Sequence, residues 1–218
     1  VGAYAHALLP ELRRQCDVEV FVAREHAGVA SDGAELLSVS DLSPRRFDHV
    51  LYQLGNEAQH AFMVPLVREL GGTVVLHDWT LFEPNRAAHP ELARGGARAL
   101  ALVLREGGVR AARSYWANRE RWLRGDATGA PPPLNRSVVR GADAFIVHSR
   151  DMRDRILVER NAATPVAVLN EAADGSPLAR EYVDFLDVCP APRSKKRSLI
   201  KVMLEASERR RAANAAAR

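Results

Sequence analysis

His77 and Asp78 stand side by side directly after a short run of valine and leucine, and Gly55, Asn56 and His60 follow an earlier run of the same kind. Further on, His148, Ser149 and Arg150 close a third apolar run. Amide and imidazole groups supply directional hydrogen bonds, and histidine is the side chain whose proton is exchanged most readily near neutral pH. Residues placed in this way can hold a polar ligand. Each also has a plainer use: Asn56 can cap a helix beginning near Glu57, Asp78 the helix that follows it, and Ser149 a helix starting at Asp151.

The elements that must position these residues are readable. Residues 48–54 and 73–76 are short Val- and Leu-rich runs, and residues 57–70 between them end at Gly71-Gly72 as a helix ends at its C-terminal glycine. This is a strand–helix–strand unit. In open α/β sheets, ligands bind outside the carboxyl ends of the strands, which is where Gly55, Asn56, His60, His77 and Asp78 fall.

The same alternation extends along the chain. Residues 3–15 read as a helix with Ala5, Leu8, Leu9 and Leu12 inward, 18–22 as a strand and 35–39 as a weaker one. A helical region over 86–123 is interrupted at Gly95-Gly96 and Gly107-Gly108, and its second half sets Tyr115, Trp116 and Trp122 among arginines. Those tryptophans suit helix packing first, with sugar stacking or a membrane-facing surface as the alternatives. After Pro131 to Pro133 come a short helix at 134–140, a strand at 144–147, a helix at 151–160 and a strand at 166–169. The expectation is an α/β fold. One parallel sheet is to be built from 18–22, 48–54, 73–76, 144–147 and 166–169, with right-handed crossovers and helices on both faces.

Composition narrows the classes. Two cysteines, Cys16 and Cys189, lie far apart and suggest neither a disulfide framework nor a zinc site. No apolar run reaches the roughly 18 residues of a membrane span. The chain opens on Val1 without a basic-then-apolar leader, so it reads as a cytoplasmic protein that begins inside a longer gene product. Residues 193–218 carry nine Lys or Arg against Glu205 and Glu208, a net +7 that leaves the rest of the chain at −3. That basic tail reads as a solvated helix, or else as an amphipathic one making peripheral contact with the inner face of a membrane; nucleic acid is not expected as a partner. No Gly-rich dinucleotide fingerprint, Walker loop, Ser/His/Asp order or paired metal ligands stand out.

The succession YQLGNEAQHAFM, VVLHDWTL, ADAFIVHSRDMRDRI and TPVAVL resembles the N-terminal domain of retaining glycosyltransferases of the family 4 (group 1) type, over residues 1–169. The resemblance implies the N-terminal half of a GT-B fold, a Rossmann-like domain that receives the acceptor. It implies transfer of a glycosyl group from a nucleotide-sugar donor to a glycan, lipid or small-molecule acceptor, with no cofactor. By the same resemblance His77 and Asp78 are the catalytic candidates, with His77 contacting the transferred sugar, and Asn56 and His60 are acceptor contacts. Gly2, in what looks like the end of a glycine-containing loop near the donor diphosphate, and Arg150, facing a phosphate, are donor contacts. The family's second domain, with its two donor-binding glutamates, would follow Leu169, yet only 49 residues do. Glu11 with Glu19, and Glu83 with Glu91, repeat the glutamate spacing by coincidence.

Residues 177–186 look like the family's closing helix, which suggests an internal deletion: 1–169 as the acceptor-side domain, 170–192 as a returning helix and 193–218 as the tail. The alternative class is a noncatalytic Rossmann-like remnant that binds a ligand or partner.

Overall fold

The structure, a computed structural model, describes residues 2–28, 30–31, 34–124, 131–169 and 175–191, without the side chains of 2–6, 30–31, 34, 122–123 and 175–176. The basic tail, and with it most of the charge asymmetry, lies outside the described residues.

Four strands form the central sheet: β4 (Leu51–Leu54), β5 (Thr73–Leu76), β6 (Ala144–Val147) and β7 (Val166–Val168), adjacent in that order and all parallel. Side chains alternate between faces along each strand. Tyr52, Leu54, Val74, Leu76, Phe145 and Val147 pack on one side against α2 (Met63–Leu70), α6 (Arg136–Gly141) and α7 (Arg150–Glu159). Val75 and Ile146 meet α1 (Gly2–Arg13) and α8 (Gly175–Leu186) on the other, through Leu8, Leu12, Leu178, Ala179 and Tyr182. β5 and β6 are therefore buried on both faces, which is why they read as unbroken apolar runs. Each fully buried Val, Leu, Ile or Phe contributes about 1.5–3 kcal/mol, so these two strands anchor the fold.

The protein is thus an α/β domain of parallel sheet with helices on both faces. It differs from expectation at the first strand. β1 (Val20–Val22) does not join the central sheet; it pairs in parallel with β3 (Ala34–Ser38), which pairs antiparallel with the two-residue β2 (Ala30–Ser31). The connection from β3 to β4 is occupied by two 3-10 turns, Val39–Asp41 and Pro44–Arg46. These bring Phe47 edge-on to Phe21 at 5.7 Å and Arg46 onto Glu19 at 3.0 Å. Side chains thus tie the β1 region to the connection that leads into β4.

Proline shapes the helix after β4. The expected helix over 57–70 is a 3-10 turn at Ala58–Phe62 followed by α2, because Pro65 has no N–H to give a carbonyl one turn back. Beyond β5, α3 (Phe82–Ala88) and α4 (Glu91–Arg94) are separated at His89-Pro90, and α4 and α5 (Ala97–Arg124) at the Gly95-Gly96 pair read from sequence, while Gly107-Gly108 falls inside α5. Gly95, Gly96 and Gly108 all take positive φ, and Gly108 kinks α5. Phe82, Leu92, Ala99, Leu102, Val103, Ala111, Ala112, Tyr115 and Leu134 close a second core among these helices.

Candidate functional site

Since the four central strands are parallel, their carboxyl ends share one edge. Leu54 pairs with Leu76 and Leu76 with Val147, so the residues that follow, Gly55, His77 and His148, emerge in a row. The His77 and His148 rings lie 4.9 Å apart between centroids, tilted by 35°. His77 Nε2 meets Gln53 Oε1 of the neighbouring strand at 2.8 Å, and His148 Nδ1 meets the Leu169 carbonyl at 3.0 Å. A carbonyl oxygen only accepts, so the neutral His148 ring carries its proton on Nδ1, and the neutral His77 ring on Nε2. The acceptor nitrogens are then His148 Nε2 and His77 Nδ1. Both rings are half-buried.

Backbone and side chain lock the flanking loops together. The Asp78 carboxylate accepts the Asn56 N–H at 2.9 Å, and Asn56 Oδ1 accepts the Glu83 N–H at 3.0 Å. Asn56 therefore caps a helix, but not the one expected: it serves the first turn of α3, whose own N-cap residue, Leu81, has no side chain able to do so. The turn near Glu57 has no side-chain cap. His60 is buried, and its Nδ1 lies 3.0 Å from both the N–H and the carbonyl of Gly55, accepting from one or donating to the other according to tautomer. It pins the loop after β4 from inside. Trp79 continues the edge, its carbonyl accepting Asn135 Nδ2 at 2.7 Å and its ring lying 5.6 Å from the Arg155 guanidinium.

Of the residues read from sequence, Asn56, His60, His77 and Asp78 come together with His148. Ser149 caps α7 through the Met152 N–H, and Arg150 is exposed at the first position of that helix. Gly2 opens α1, a helix whose Leu8 and Leu12 pack on the sheet face shared with α8. Gln53 is a site residue that the sequence motifs miss; its signal is a polar residue in the apolar strand LYQL, one place before the strand ends. Trp116 turns outward, 55 % exposed, because Ala111, Ala112 and Tyr115 already fill the inner face of that half of α5. The Trp122 side chain is outside the described residues.

Among the described residues, no three of His, Cys, Asp and Glu converge as a metal site requires, and no helix is long and apolar enough to cross a membrane. Compared with protein families, with curated proteins and with solved structures, the chain matches none.

Proposed function

We propose that this chain forms the acceptor-side body of a retaining, nucleotide-sugar-dependent glycosyltransferase of GT-B type. The observation that carries the reading is the row of strand ends: His77 held by Gln53 and flanked by His148, with the Asn56 and Asp78 loops tied together beside it. A site that orients a polyhydroxylated substrate needs fixed, directional donors and acceptors more than a strong base, and tautomers set by neighbouring groups provide them. In this reading His77 faces the transferred sugar, and Asn56 Nδ2 and the second Asp78 oxygen take acceptor hydroxyls. His60 acts through the loop it pins. Arg150 and the Gly2 end of α1 lie toward the donor phosphates. Catalysis rests on positioning and on stabilising the departing diphosphate.

Amide-resolved NMR of the chain titrated with nucleotide sugars and simple glycosides tests this. The expected result is weak, saturable shifts centred on Asn56, His77, Asp78 and His148, lost in His77→Ala while the rest of the spectrum is retained. Shifts confined to other edges of the fold, or binding unchanged in His77→Ala, refute it.

A further inference from the structure

We infer that the outward face of the second half of α5 is a docking surface for an anionic phospholipid bilayer. Beyond the Gly108 kink the helix has two distinct sides. Ala111, Ala112 and Tyr115 face the core with Phe82, Leu92 and Leu134, and the Tyr115 hydroxyl donates to the Leu92 carbonyl at 2.7 Å. The other side follows the helical repeat from Val109 through Arg113 and Trp116 to Glu120, with Arg110, Ala117 and Arg121 alongside; all of these are exposed. Val109 is 60 % and Trp116 55 % exposed.

Among the described residues the exposed large apolar side chains are Leu104, Val109, Trp116, Val158, Val168 and Val188, and the Trp116 indole is the largest of them and the one aromatic ring. Its surroundings point to the kind of contact it makes. Arg119 stacks on the Trp116 ring at 4.7 Å and donates to the Trp116 carbonyl at 3.2 Å, which fixes the indole at the surface. Arg110, Arg113 and Arg121 ring it, against Glu120 as the acid on this face. Tryptophan prefers the headgroup level of a bilayer, where one end of the ring is wet and the other dry. Arginines around it complement anionic lipid phosphates. With Val109, Trp116 and the small Ala117 as its apolar contacts, the helix rests shallowly on the headgroups and depends on charge.

The position on the fold suits such a role. The α3–α5 core is joined to the site edge: the Leu81 N–H donates to the Pro133 carbonyl and Asn135 to Trp79.

The test is cosedimentation of the full chain with vesicles of phosphatidylcholine alone and of phosphatidylcholine mixed with phosphatidylglycerol. Binding is expected only to the anionic vesicles, weakening as salt rises. Arg110→Gln, Arg113→Gln and Arg121→Gln together should lower the partition coefficient by roughly a hundredfold, at about fivefold per arginine. Trp116→Ala should also lower it while leaving the circular dichroism unchanged, because the side chain is exposed. Three results overturn the proposal: equal binding to both vesicles, unchanged binding by the triple variant (which assigns the contact to the basic segment 193–218), or retention on a nucleic-acid column with no vesicle binding.

Discussion

The side chain of Asn56 accepts the Glu83 N–H at 3.0 Å across 27 residues of sequence, so a loop after one strand caps the helix that follows the next. Because Asp78 in turn accepts the Asn56 N–H, the loops after β4 and β5 are hydrogen-bonded to each other beside His77.

That arrangement separates a capping role from a ligand role. Asn56→Ala should destabilise the fold by about 1 kcal/mol, the usual cost of a lost cap, measured by urea unfolding. Asn56→Asp keeps an oxygen for Glu83 and adds a negative charge at a helix N-terminus, so it should hold stability near the parent. It removes the amide donor, however. If Asn56→Asp also leaves glycoside-induced NMR shifts intact, Asn56 is a cap and nothing more.

The turn between α2 and β5 gives a second expectation. Gly71 has φ +70°, and a Cβ there would lie 1.9 Å from the Asp143 carboxylate oxygen that accepts the Gly72 N–H. Gly96 has a similar φ of +87° but open space around it. Gly96→Ala therefore isolates the backbone penalty, about 1 kcal/mol, while Gly71→Ala adds displacement of Asp143 and should cost on the order of 3 kcal/mol. Equal unfolding midpoints for the two variants would show that Asp143 does not fix this turn.

These examples also mark what the sequence could reveal. β5 and β6 are legible because both of their faces are buried, and Gly71-Gly72, Gly95-Gly96 and Gly108 because positive φ selects glycine. The gathering of Asn56, His77 and His148 at one edge followed from strand parallelism alone. What escaped depends on pairing between distant residues. The Asn56 contact to α3, the Gln53 contact to His77 and the separation of β1 from β4 are set by which edges meet, and local pattern carries no record of that. Helix packing is the first expectation for Trp116 because aromatic residues usually pack, but it is 55 % exposed, and Ala111, Ala112 and Tyr115 occupy the inner face of that half of α5.

Glu106 offers a third test. It is 2 % exposed, accepts the Ser137 N–H at 2.9 Å in the first turn of α6, and meets Arg105 at 3.0 Å. It replaces a missing cap, since Asn135 makes no side-chain cap bond of its own. Glu106→Gln keeps an acceptor and should cost about 1 kcal/mol, whereas Glu106→Ala leaves the buried N–H unpaired and should cost about 2–3 kcal/mol. Chemical denaturation of the two variants decides it, and an equal loss would mean that charge, not the cap, is what matters.

Tyr52 makes the last prediction, and it concerns pH. Its ring packs in the central core at 5 % exposure, and its hydroxyl is buried without a hydrogen-bond partner among the described residues. Burial, and then the neighbouring Asp143 carboxylate, push the phenol well above its usual range. A folded-state pKa above the unfolded one means that the native state keeps its proton after the unfolded chain has lost one, so stability is unaffected below about pH 10 and falls as pH rises beyond it. Tyr52→Phe removes both the unpaired hydroxyl and the titration. At neutral pH it should leave stability unchanged or raise it by up to about 1 kcal/mol, since an unsatisfied buried hydroxyl contributes a desolvation cost and no bond. Above pH 10 its unfolding free energy should decline less steeply than the parent's. Parallel pH profiles for the two proteins would mean that the hydroxyl reaches solvent or a partner.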